Sequence, residues 1–178
     1  VRKSGLIAIT LDKGDELMST SFVSKGDDVL VVTADGQSIR FKESDIREMG
    51  RNAAGVRAIK LGKDDVVISA DTVKKDAKDA MLFVMSANGY GKQTPVKEYK
   101  VQGRGGSGIL TAKVTEKTGA LMGGKVVTEE HEEVVAMSKK SQVIRVDIKE
   151  IPSLGRQTQG VRVMKLREGD SIASLITL

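Results

Sequence analysis

The chain has 178 residues, with 29 Lys and Arg against 24 Asp and Glu, a net charge of +5; that length suffices for a buried core and for one ordinary domain or part of a larger one. The absence of cysteine excludes disulfides, thiolate metal sites and a Cys nucleophile, and the single histidine, His131, leaves no His-rich metal centre. Aromatic residues are 3% and Trp is absent, too few flat side chains for a base-stacking platform. No apolar run approaches the roughly 18 residues of a membrane span, and Val1-Arg2-Lys3-Ser4 heads no apolar signal core. Val1 in place of an initiator methionine points to a piece of a longer chain. Basic charge with few aromatics selects an anionic polymer gripped by its backbone, such as duplex DNA, or else a mildly basic surface that binds nothing.

In chain order, Gly5–Leu11 predicts a strand, Asp12–Asp15 a turn and Glu16–Val23 a second strand. Asp28–Thr33 and Ser38–Phe41 flank Ala34-Asp35-Gly36-Gln37, and Asp-Gly between β-branched runs signals a tight hairpin whose turn needs positive φ. Ser44–Met49 predicts a turn of helix at most. Gly50-Arg51-Asn52-Ala53-Ala54-Gly55 then leads into a strand, Val56–Leu61, a turn, Gly62–Asp65, and another strand, Val66–Ala70. Asp71–Asp79 reads as a charged connector. The same order recurs: Met81–Ser86, a turn at Ala87-Asn88-Gly89-Tyr90, then Gly103-Arg104-Gly105-Gly106-Ser107-Gly108 and Ile109–Val114. After a second connector, Thr128–Glu133, it recurs again: Val134–Ser138, a looser turn at Lys139–Gln142, Val143–Val146, a helical turn at Lys149–Ile151, Gly155-Arg156-Gln157-Thr158-Gln159-Gly160, Val161–Leu166, and Ser171–Leu175.

The pattern G-R-x-x-x-G therefore occurs three times at spacings of roughly fifty residues, the period of propeller-like blades. The apolar runs are continuous rather than alternating, as expected of strands buried on both faces. The predicted fold is all-β: a half blade over 1–23 and four-stranded blades over 24–75, 76–128 and 129–178. About three and a half blades do not close a ring, since propellers have roughly four to eight, so the ring is expected to draw on blades outside this sequence.

The G-R-x-x-x-G loops admit two readings. Glycines expose backbone N–H groups and an adjacent Arg can fork onto phosphate oxygens; alternatively, the glycines only turn the chain between blades while the Arg pairs locally. Basic residues recur downstream at equivalent places, Arg57 and Arg162, then Lys60, Lys113 and Lys165, which favours a row of phosphate contacts. Gly103–Gly108 also satisfies G-x-G-x-x-G, but no helix or βαβ unit is predicted around it, so a dinucleotide site is not supported. His131 lies among Glu129, Glu130, Glu132 and Glu133 and reads as a solvated connector residue; Tyr90 and Tyr99 read as packing residues.

Asn88-Gly89-Tyr90-Gly91-Lys92-Gln93-Thr94-Pro95, Glu98-Tyr99 and Gln102–Gly108, in that order, resemble the C-terminal domain of bacterial DNA gyrase A subunits. The resemblance runs over essentially the whole chain. It implies a β-pinwheel, a propeller-like ring of about six blades whose strands swap between neighbours and whose basic rim wraps duplex DNA. It implies a non-catalytic, cytoplasmic module of an ATP-hydrolysing type II topoisomerase that introduces negative supercoils. The partners are then double-stranded DNA, the gyrase B subunit of an A2B2 enzyme, plus the remainder of the gyrase A subunit. No membrane is implied and no cofactor in this chain; ATP and Mg belong to the parent. The family's Q-R-R-G-G-K-G box is matched at Gln102, Arg104, Gly105, Gly106 and Gly108, and departs at Gly103 and Ser107, which places the full box upstream of Val1. The related topoisomerase IV domain and a protein-interaction propeller are the alternatives. The residues expected to meet DNA are Arg51, Arg57, Lys60, Arg104, Lys113, Arg156, Arg162 and Lys165, followed by Lys92 and Lys100.

Overall fold

The structure is a computed structural model and describes residues 5–178. Among the described residues eleven strands fill three antiparallel sheets. The first unit supplies β1 (Asp28–Thr33), β2 (Gln37–Lys42) and β3 (Val67–Val73). The second supplies β4 (Met81–Ser86), β5 (Tyr90–Pro95), β6 (Ile109–Leu110) and β7 (Leu121–Val127). The third supplies β8 (Glu133–Ser138), β9 (Val143–Asp147), β10 (Val161–Arg162) and β11 (Ile172–Thr177).

Each sheet is built on a predicted hairpin. Gly36 and Gly89 hold φ of 84° and 81° in the first two turns. In the third, Ser141 takes φ of 63° within the longer connection 139–142. A single 3-10 turn follows each hairpin, at Glu43–Asp45, Val96–Glu98 and Ile148–Glu150; the middle one has no counterpart in the sequence reading.

The sheets are not the sequence units. Their strand orders are β3-β1-β2-β6, β7-β4-β5-β10 and β11-β8-β9. The strands after the second and third G-R loops thus leave their own unit and complete the sheet before it, β6 pairing with β2 and β10 with β5, whereas the strand predicted at 56–61 does not form. The second and third units therefore each keep three strands and lend one. The predicted strands at 5–11 and 16–23 do not form, because a strand exists only where a neighbouring backbone takes its N–H and C=O groups. The backbone partner there is one loop, through Thr10 N–H to Ala53 O at 3.2 Å. Asp71 belongs to β3 rather than to a connector, and its Oδ2 accepts the Val126 N–H at 2.9 Å.

Two hydrophobic layers lie between the three sheets. Leu30 and Val32 of β1 meet Leu82 and Val84 of β4 in one; Phe83 and Met85 on the other face of β4 meet Val134 and Ala136 of β8 in the next. β4 is buried on both faces, which is why its sequence is an unbroken apolar run. β3, β7 and β11 lie side by side along the inner edge. Gly123 of β7 faces Leu175 of β11, whose Cδ1 lies 2.4 Å from where a Cβ would stand. That leaves β6 and β10 at the opposite, outer edge. Among the described residues no helix is long and apolar enough to cross a membrane.

Candidate nucleic-acid interface

The three G-R loops form one continuous series. The backbone N–H of Lys60 donates to Gly106 O at 2.8 Å, and that of Lys113 to Thr158 O at 3.1 Å. The Thr10 to Ala53 bond is the same bond one step earlier. Each loop therefore hangs on the lent segment of the unit before it.

The loop arginine fixes that junction. Arg104 Nη1 donates to Arg57 O at 2.5 Å and its Nε to Asp45 O at 3.2 Å. Arg156 Nη1 donates to Leu110 O at 2.9 Å, and Leu110 occupies the place in its unit that Arg57 occupies in the first. Both side chains are half-buried, whereas Arg51 is exposed. The final glycine closes the loop against the preceding hairpin. Gly108 and Gly160 have φ of 74° and 80°, and a Cβ would stand 2.4 Å from Ser38 O and 2.5 Å from Gly91 O. The Gly105 N–H is spent on Ala58 O at 2.7 Å. The loop is thus no open cradle of N–H groups: Arg104, Arg156, Gly105, Gly108 and Gly160 hold the blades together. Gln102, half-buried, donates its N–H to Arg40 O at 2.7 Å, while its Nε2 is buried without an acceptor.

Lys92, expected among the exposed cations, is buried at 1% exposure. Its Nζ donates to Gly155 O at 2.6 Å, Arg156 O at 2.7 Å and Thr158 Oγ1 at 3.1 Å, under the third loop. Burial pushes its pKa down to about 8, opposed by Glu98 and helped by Arg156. Gln93 and Thr94 beside it are buried too and bond to carbonyls of the third unit, Gln93 to Ile148 and Ile151 and Thr94 to Leu154. β5 is therefore a polar seam between blades, satisfied group by group.

The remaining cations face outward. Arg57, Lys60, Lys113, Arg162 and Lys165 are exposed on the segments that follow the loops, and so is Lys100 beyond the second 3-10 turn. Among the described residues none of these six joins an ion pair; the ion pairs are Arg40 with Asp28, Lys74 with Asp27, Lys125 with Asp71 and Arg145 with Glu133. Arg162 is the one with a fixed orientation: Nη2 donates to Tyr90 Oη at 2.9 Å, and its guanidinium lies 5.5 Å from the ring centroid. Sequence reasoning assigned Tyr90 to packing alone. The signal was its place after the hairpin glycine, where the other units carry Gln37 and Gln142.

Three blade-like sheets that exchange outer strands, with uncompensated cations stepping along the lent segments, define a β-pinwheel domain suited to a polyanion. The chain belongs to the family described as "DNA gyrase C-terminal domain, beta-propeller", whose profile matches residues 2–24, 27–74, 80–128 and 132–178. It is 42% identical to the DNA gyrase A subunit of Mycolicibacterium smegmatis and 40% identical to that of Staphylococcus epidermidis, in each case over 98% of this chain. It spans 20% and 19% of those relatives. A solved DNA gyrase A C-terminal domain superposes with a TM-score of 0.88 at 28% identity, over 98% of this chain and 58% of the other. The C-terminal domain of a DNA topoisomerase IV shares the fold, with a TM-score of 0.79 at 21% identity, over 85% of this chain and 46% of that one.

Proposed function

We propose that this chain binds duplex DNA along its outer edge and bends it around the pinwheel, as the wrapping module of a DNA gyrase A subunit. The observation that carries this reading is the run of unpaired cations, Arg57, Lys60, Lys113, Arg162 and Lys165, stepping from unit to unit on the lent segments. Lys and Arg contacts of this kind meet phosphates and bent duplex shape rather than base edges, so binding is sequence-tolerant. Bending a short site costs a few kcal/mol, offset by several Lys and Arg contacts and the counterions they release. The chain itself carries no chemistry in this reading. Strand passage, ATP and Mg belong to the gyrase B subunit, together with the rest of the gyrase A polypeptide, in a cytoplasmic A2B2 enzyme. The wrapped duplex gives that enzyme the handed crossing from which negative supercoils arise.

Relaxed circular plasmid, incubated with the chain, treated with a relaxing topoisomerase and deproteinised, tests the reading. A concentration-dependent change in linking number is the expected result. Gel retardation with unchanged linking number would refute wrapping, and no retardation at low salt would refute DNA binding.

A further inference from the structure

The junction of the second and third sheets holds a feature that the repeat does not account for. An open pocket there is lined by Tyr90, Lys117, Arg162, Lys165, Arg167 and Asp170. Lys117 Nζ lies 5.3 Å from the Tyr90 ring centroid and the Arg162 guanidinium 5.5 Å from it, so the ring carries two cations. The single acid is already engaged: Asp170 Oδ1 accepts from the Lys140 and Ser171 N–H groups and Oδ2 from Ser138 Oγ. None of the four cations has an ion-pair partner among the described residues. Tyr90 Oη accepts from Arg162, which leaves its own hydrogen free to donate into the pocket.

The equivalent junction of the first and second sheets is built differently. By the hairpin and loop registers, Tyr90 corresponds to Gln37, Lys117 to Asp64, Arg162 to Leu110, Lys165 to Lys113 and Arg167 to Thr115. One junction therefore holds four cations around an aromatic floor, and the other a single lysine with an aspartate. Like charges gathered at this density repel one another unless an anion sits among them.

We propose that this pocket seats one phosphodiester of the duplex and anchors the wrap between the second and third blades. Arg162 is oriented for it by Tyr90; Lys117, Lys165 and Arg167 neutralise it; the Tyr90 hydroxyl donates to it. The proposal rests on the duplex-binding reading above and adds residues, Tyr90, Lys117 and Arg167, that the repeat pattern does not point to.

Duplex binding by fluorescence anisotropy over a salt series tests it, with a second arm that titrates inorganic pyrophosphate against tyrosine fluorescence. Lys117 and Arg167 are exposed, so their removal spares the fold. The double variant Lys117→Ala/Arg167→Ala should bind more weakly and lower the magnitude of the log K against log salt slope by up to about 0.9, the share of the one phosphate seated there. Tyr90→Phe keeps the ring and every charge but loses the hydroxyl that donates to the phosphate and holds Arg162, so its affinity should fall while its slope stays. Wild-type affinity and slope in the double variant, with Arg57→Ala/Lys60→Ala impaired, would overturn the seat and leave duplex binding standing. Saturable pyrophosphate binding with duplex binding unaffected in the double variant would make this a free-anion site and overturn it too. If the wild-type chain binds no duplex, the broader functional reading fails first.

Discussion

Lys92 is the residue whose environment departs furthest from its sequence context. Ile39 and Ile144 stand at its place in the other hairpins, and a lysine there reads as a contact to DNA. It is buried because three acceptors of the third loop converge on the ammonium, a long-range pairing that periodicity does not encode. Its pKa is lowered to about 8, so between that value and the ordinary lysine range the unfolded chain holds a proton that the folded chain has released. Stability from this group therefore rises with pH across that window. Urea unfolding at pH 7, 8.5 and 10 should show wild type gaining on Lys92→Met as pH rises; a constant difference would mean that Lys92 does not titrate there. At the loop ends, Gly108→Ala and Gly160→Ala should each cost about 2 kcal/mol or more, since a Cβ meets a carbonyl oxygen at positive φ. Gly103→Ala, with nothing within 4 Å, should stay within about 0.5 kcal/mol by the same unfolding measurement.

At the scale of elements, the hairpins and the repeat were legible in the sequence, because Asp-Gly and Asn-Gly fix the first two turns and continuous apolar runs mark strands covered on both faces. Which sheet each strand joins was not legible in periodicity or spacing; the family resemblance alone implied that strands swap between neighbours. A two-residue strand such as Ile109–Leu110 looks the same whether it pairs with its own hairpin or with the one before; the pairing is settled by Gly108 lying against Ser38 and by Arg104 reaching Arg57 O. The G-R-x-x-x-G motif is plain in the sequence, but its recurring cations favour phosphate contact over local pairing for the arginine. It forms part of the junction because backbone carbonyls of the neighbouring unit stand within its reach. The two roles separate by measurement. Arg156→Ala should lower stability by about 1 kcal/mol through the lost staple. Arg57→Ala should leave stability within about 0.5 kcal/mol and lower duplex affinity. Equal effects of both variants on stability would contradict the division.

For the molecule as a whole, strand lending makes each interface between sheets covalent as well as packed. The loop series, the polar seam of β5 and the two hydrophobic layers all cross from one unit to the next, which holds the outer edge in a fixed curve. In the proposed function, a stiff polyanion laid along that edge meets its cations one after another. The central claim is that Arg57, Lys60, Lys113, Arg162 and Lys165 contact duplex phosphates together. Replacing all five by Ala and measuring duplex affinity across a salt series tests it most directly. The account predicts a slope of log K against log salt smaller in magnitude by about 3.6 than that of wild type, near 0.9 for each of four phosphates with Arg162 and Lys165 sharing one, with an unchanged unfolding midpoint; a slope equal to that of wild type would contradict it.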